Sequence, residues 1–153
     1  MLQESPQLLY FEDLTPEMRL VSPAYSVGEA EIIEFAKRWD PQPFHTDREQ
    51  AKDSEFGRLV ACGMHVNAIR GLLYHRLSPK PLMAMGLGAN QTLLLCPVEP
   101  DDELVLTVCF KTLRRSRSRP HLGVVVADHA LHNQQGMVVM TLEAVTMVPL
   151  RHP

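Results

Sequence analysis

The sequence predicts an α+β fold in which an antiparallel sheet wraps around one long buried helix. Three observations predict it. Helix-like periodicity comes early in the chain. One segment, about Val60 to Arg76, is apolar nearly all round, the pattern of a helix without a solvent face. After Pro81 the period changes to that of strands and remains so to the end.

The elements follow in order. Residues 1–19, with Pro6 and Pro16, read as an irregular lead-in. Leu20 to Val27 is strand-like but broken by Pro23, which suits an edge strand, because proline offers no N–H to a ladder. Ser26-Val27-Gly28-Glu29 has the form of a capping box. Ile32, Ile33, Phe35, Ala36 and Trp39 follow at helical spacing, with Glu31, Glu34, Lys37 and Arg38 on the other face. That helix should stop before Pro41, since a residue preceding proline resists the helical region. A second box, Thr46-Asp47-Arg48-Glu49, predicts a short helix to about Lys52. Beyond Pro81, Leu82 to Leu87 and Thr92 to Cys96 are short strand-like runs. Glu103 to Leu113 alternates, with Leu104, Leu106, Val108 and Phe110 on one face. Leu122 to Leu131 and Val138 to Val148 are β-rich, with a turn at Gln134, Gln135 and Gly136 between them.

A length of 153 residues fits one domain, 1–153. The hydrophobic fraction is 45% and the charged fraction 22%, enough apolar material for a core without disulfides or metal. The net charge of −3 argues against a general nucleic-acid binder. Cys62, Cys96 and Cys109 match no zinc spacing and are odd in number, so they read as free thiols in a reducing cytoplasm. Residues 1–10 lack the pattern of a signal peptide, and no run reaches the ~18–20 apolar residues of a membrane span. A cytoplasmic protein without membrane contact is the expectation. His121, His129, His132 and His152 show no ligand spacing, so neither a metal nor a cofactor is expected.

The chemistry concentrates in Trp39-Asp40-Pro41-Gln42-Pro43-Phe44-His45-Thr46-Asp47. Two prolines stiffen the link between an acid and an imidazole, reducing the freedom lost when both are aimed at one point. A carboxylate and an imidazole sharing one water in a partly dry pocket are a natural general acid–base pair. The same residues also suit a plain turn, with Asp before Pro and His45 capping the next helix. A second stretch, Phe56-Gly57-Arg58-Leu59-Val60-Ala61-Cys62-Gly63-Met64, sets Gly63 at the start of the buried helix. There, free N–H groups and the helix dipole favour a developing negative oxygen. Close helix packing would explain Gly63 equally well. Cys62 beside a helix start is a weak nucleophile candidate, and His65 reads as a core or interface histidine.

Together the two stretches resemble the MaoC-like dehydratases, the family of the (R)-specific enoyl-CoA hydratases. Phe11-Glu12-Asp13-Leu14, Pro97-Val98 followed by Asp102, Ser116-Arg117-Ser118-Arg119-Pro120, and Asn133-Gln134 before Gly136 extend the likeness over nearly the whole chain. The resemblance implies a hot-dog fold, an acyl-CoA substrate, and at least a homodimer with its site at or near the subunit interface. It implies that Asp40 and His45 are catalytic and that the Gly63 N–H polarises the thioester carbonyl. Gln42, Pro43, Phe44, Cys62, Met64 and Asn67 would surround the substrate; the basic run with Arg117 and Arg119 suits a solvated hairpin tip or, given such a substrate, contact with the CoA phosphates. The implied reaction is reversible hydration of a trans-2-enoyl-CoA to a 3-hydroxyacyl-CoA.

The chain departs from the family pattern at Gln42 (usually Asn), at Cys62 (often His) and at Gly71, where a serine would orient the aspartate. It departs again at Leu94 or Leu95, where many members carry Arg. Asn67 is then the candidate to orient Asp40. Two alternatives follow: a hot-dog thioesterase, and an inactive acyl-CoA-binding subunit.

Overall fold

The structure, a computed structural model, describes residues 7–152. Its elements in chain order are β1 (Leu8–Leu9), a 3-10 turn (Phe11–Asp13), β2 (Arg19–Val21), β3 (Tyr25–Ser26), α1 (Glu29–Trp39), α2 (Pro43–Thr46), α3 (Arg48–Ala51) and α4 (Gly63–His75), followed by β4 (Lys80–Pro81), β5 (Met85–Leu94), β6 (Glu103–Arg115), β7 (Leu122–His132) and β8 (Val138–Pro149). The main sheet runs β2-β6-β7-β8-β5, and β3 also pairs with β6. Every pairing in it is antiparallel.

The alternation expected of β6 is what the sheet uses. Leu104, Leu106, Val108 and Phe110 are buried, and with Leu131 of β7 and Met140 of β8 they pack in one cluster with Val66, Ile69 and Leu73 of α4. Each such side chain contributes about 1.5–3 kcal/mol on burial. Lying inside the curl of the sheet, α4 has no face to spare for solvent except one, and that face carries the site.

Several local expectations need correction. The lead-in is not wholly irregular, since β1 pairs in parallel with β4. Residues 1–6 of that lead-in lie outside the described residues. Ser26 does not cap α1; it pairs with Glu103, and Gly28 takes the N-cap position. Thr46 closes α2, while Asp47 caps α3 by accepting from the N–H groups of Glu49 and Gln50 at 2.8 and 2.9 Å. The central helix begins at Gly63 rather than Val60. Residues 59–62 are drawn out because Val60 N–H donates to Phe44 O at 3.1 Å and Ala61 N–H to Val98 O at 2.8 Å. The two runs after Pro81 merge into one strand, β5, whose register slips between Gly86 and Gly88 and again between Asn90 and Leu93.

Candidate active site

Asp40 ends α1. Its N–H still bonds to Ala36 O at 2.8 Å, and Pro41 prevents a further turn. Pro43, at the first position of α2, starts the short helix that carries His45. The His45 side chain is 9% exposed and that of Asp40 is 32% exposed. Nδ1 of His45 lies 2.6 Å from Val60 O. A carbonyl only accepts, so Nδ1 carries the proton, and in the neutral ring the lone pair sits on Nε2. Nε2 faces Asp40 Oδ2 at 3.8 Å, too long for a direct hydrogen bond. Two acceptors are thus presented to one small space.

Gly63 is the first residue of α4, and its N–H has no acceptor within the helix. Asp40, His45 and Gly63 line one cleft of about 490 Å³, whose remaining wall is mostly apolar: Val60, Val66, Leu94, Leu95, Pro97 and Val98 among others. A Cβ placed on Gly63 would come within 2.6 Å of Leu94 Cδ1, so the leucine lies directly over the glycine.

Comparison with known proteins now decides the family. The model of the MaoC-like domain matches residues 12–131. The chain belongs to the MaoC-like dehydratase family. The crystal structure of the MaoC-like dehydratase from Rhodospirillum rubrum is similar with a TM-score of 0.87 and 34% identity, over 95% of this chain and 99% of that one. Among curated proteins, the uncharacterised YdeM of Bacillus subtilis is 29% identical over 124 residues, 80% of this chain and 86% of that protein. The (R)-hydratase of A. caviae involved in PHA biosynthesis shares the fold, with a TM-score of 0.73 at 24% identity over 90% of this chain and 99% of that one. The fold is the hot-dog, as the resemblance implied.

In this MaoC-like chain the remaining site residues fall into three groups. Met64 and Asn67 share a second wall with Asp40, Gly63, Thr92 and Leu94. Among the described residues no hydrogen bond joins Asn67 to Asp40; Asn67 Oδ1 accepts from Arg70 Nε at 2.8 Å. Gly71 lies in a further cleft along α4 rather than at the Asp40 clefts. Gln42, Pro43, Phe44 and Cys62 line neither cleft. Gln42 and Pro43 are exposed on α2 and its cap, Phe44 packs edge-on to His45 at 4.5 Å, and Cys62 is fully buried. Of these four, Phe44 is the one whose side chain touches a residue of the acid–base pair.

Arg117 and Arg119 form the third group. Within one chain they line a separate cleft of about 680 Å³ with Arg114, Met85 and Leu87, and are not brought to Asp40 and His45. His65 is a core histidine, with Nε2 2.9 Å from Glu31 Oε1, its ring stacked on Phe35 and Nδ1 without a partner. The sequence reading missed Arg70, Tyr74 and His129, which meet along α4 and β7. The signal available was a lone arginine within an otherwise apolar helix.

Proposed function

We propose that this chain reversibly hydrates a trans-2-enoyl thioester, with coenzyme A as the carrier, and that Asp40 and His45 are its acid–base pair. The observation that carries the reading is the hydrogen bond from His45 Nδ1 to Val60 O, which turns the Nε2 lone pair toward Asp40 at 3.8 Å. A water between two acceptors can donate one proton to each, which fixes its oxygen lone pairs toward the cleft. The thioester carbonyl would lie at the Gly63 N–H.

The reaction then runs in balanced steps. The water oxygen bonds to C3 while one of its protons passes to the pair. The C2–C3 π electrons move toward the carbonyl, whose oxygen gains charge as an enolate. The Gly63 N–H and the N-terminal end of α4 stabilise that charge; such a donor is typically worth about 3–4 kcal/mol in the barrier. As the carbonyl re-forms, C2 takes the proton held by the pair. Hydroxyl and hydrogen have been added, and the reverse path dehydrates.

The reading includes a homodimer. Among the described residues β5 pairs only with β8, leaving a ten-residue edge on which Leu87, Leu93 and Leu94 are each more than half exposed. Such an edge is a template for pairing. A second copy meeting it antiparallel about a two-fold axis brings the Met85 end of one β5 to the Leu94 end of the other. Met85 borders the arginine cleft and Leu94 the Asp40 cleft, so Arg117 and Arg119 would reach the CoA phosphates across the interface, where guanidinium forks suit phosphate oxygens.

The test is incubation with trans-2-enoyl-CoAs of several lengths, following the conjugated enoyl absorbance and free thiol together. The expected result is loss of absorbance without thiol release. Thiol release would mean a thioesterase. Binding without either change would mean a non-catalytic subunit.

A further inference from the structure

Arg70 lies on α4 seven residues after Gly63, about 10 Å further along the axis. Its side chain turns back toward the helix start, as long helical side chains do. Nε donates to Asn67 Oδ1 at 2.8 Å, and Nη1 donates to His129 Nδ1 at 3.0 Å. The other guanidinium N–H groups have no acceptor among the described residues. Nor does any Asp or Glu among them form an ion pair with Arg70. Burial pulls its pKa below the usual arginine range, against a smaller upward pull from the Tyr74 phenol.

The groups around Arg70 are neutral. His129 is 3% exposed, and burial together with Arg70 holds its pKa down to about 3. The ring is therefore neutral, accepts at Nδ1 and keeps its proton on Nε2. Tyr74 stacks on His129 with centroids 5.5 Å apart, and burial pushes its phenol up to about 12, so the O–H stays intact. Arg70, Tyr74 and His129 line a cleft of about 400 Å³ together with Gly71, Gly86 and Gly88. A Cβ on any of these glycines would meet nothing within 4 Å, so the space is open. Asn67, which anchors Arg70, lines the cleft shared with Asp40 and Gly63, so a single hydrogen bond along α4 links the walls of the two clefts.

A half-buried guanidinium whose partners are all neutral has lost water without gaining a counter-charge. We propose that this cleft receives the far end of the acyl group and that this end is a carboxylate, bound by the Arg70 fork with the Tyr74 hydroxyl. The substrate is then an ω-carboxyacyl thioester. This rests on the reading that the thioester sits at Asp40, His45 and Gly63. Because Arg70 reaches back about one helical turn, the acyl chain is short, about four to six carbons. A planar guanidinium fork suits a planar carboxylate.

The test is equilibrium binding of saturated CoA thioesters to the full chain. Four- and six-carbon acyl groups are compared with ω-carboxyacyl groups of the same length, beside turnover of the matching 2-enoyl thioesters. The wild type should bind the carboxylate-bearing compounds at least about tenfold more tightly. Arg70→Met should bring that ratio close to one, and Arg70→Lys should keep part of it. Equal or weaker binding of the ω-carboxy compounds by the wild type overturns the proposal, as does a preference that survives Arg70→Met. Should Arg70→Met not fold, the wild-type ratio and Arg70→Lys decide. A binding preference without hydration of any enoyl thioester would sink the hydratase reading alone. Hydration of the neutral compounds without any preference would sink this inference alone.

Discussion

His45 has two ring nitrogens, and the fold uses them differently. Nδ1–H is held by Val60 O, so Nε2 is left to meet a proton. The carbonyl that fixes this tautomer belongs to a residue whose own N–H is tied to Phe44 O, so ring and strand hold each other. At Gly63 the constraint is volume. Gly63→Ala should lower kcat/KM by tenfold or more, roughly the value of an oxyanion donor moved out of place. Because the added methyl meets the flexible end of Leu94, Leu94→Ala in the same chain should recover much of that loss; steady-state kinetics of the single and double variants check it.

His129 makes a pH prediction at the same scale. Its folded pKa, about 3, lies below the ordinary 6.5. Below pH 6.5 the unfolded chain takes up a proton that the folded chain refuses, so stability falls as pH drops toward 3 and gains nothing above 6.5. The loss is about 1.4 kcal/mol per pH unit, hence about 2 kcal/mol between pH 6.5 and 5. In urea unfolding at pH 7 and pH 5, His129→Gln should lose about that much less than the wild type. An equal loss in both would contradict the assignment.

Among the elements, α2 is short but the most consequential, four residues with Pro43 at their start and His45 inside. Pro43→Gly should cost about 1 kcal/mol of stability through the added freedom of the unfolded chain. It should lower kcat by more than the change in folded fraction explains, as measured by urea melts and kinetics on the same sample. The closeness of Asp40 and His45 was legible in the sequence because both residues lie on one stiff local stretch, and α4 because its run is apolar over most of its circumference, although Met64 and Leu72 of that run are exposed. The apolar run alone did not mark the start of α4, which the glycine at 63 did. Residues 59–62 are as apolar as the helix, and only their bonds to Phe44 and Val98 draw them out. The capping boxes failed for a related reason. Ser26 had a strand partner in Glu103, and Asp47 was a better-placed oxygen than Thr46. The Arg70–His129 contact spans 59 residues and depends on the register of α4 against β7, which no local pattern encodes.

For the whole molecule, the consequence of the hot-dog arrangement is that its long helix borders separate clefts near its start and its end. The β5 edge remains open beside it. If two copies share that edge, the arginine cleft of one serves the acid–base pair of the other. Mixing Asp40→Asn chains with Arg117→Ala/Arg119→Ala chains should then restore about a quarter of wild-type activity after subunit exchange, since half the statistical dimers carry one intact site of two. Each variant alone should be weak, and no recovery on mixing would place both groups in the same chain's site. Sizing by light scattering should give a dimer. No described helix is long and apolar enough to cross a membrane.

The central claim is that Asp40 and His45 act on one water as a unit. The most direct measurement is kcat/KM for enoyl-CoA hydration by Asp40→Asn, His45→Gln and the double variant, each shown to be folded. Each single change should cost about 10²–10⁴-fold, and the double should cost little more than the worse single, as expected of groups that work together. Near-wild-type turnover by either single variant, or losses that multiply in the double, would contradict it.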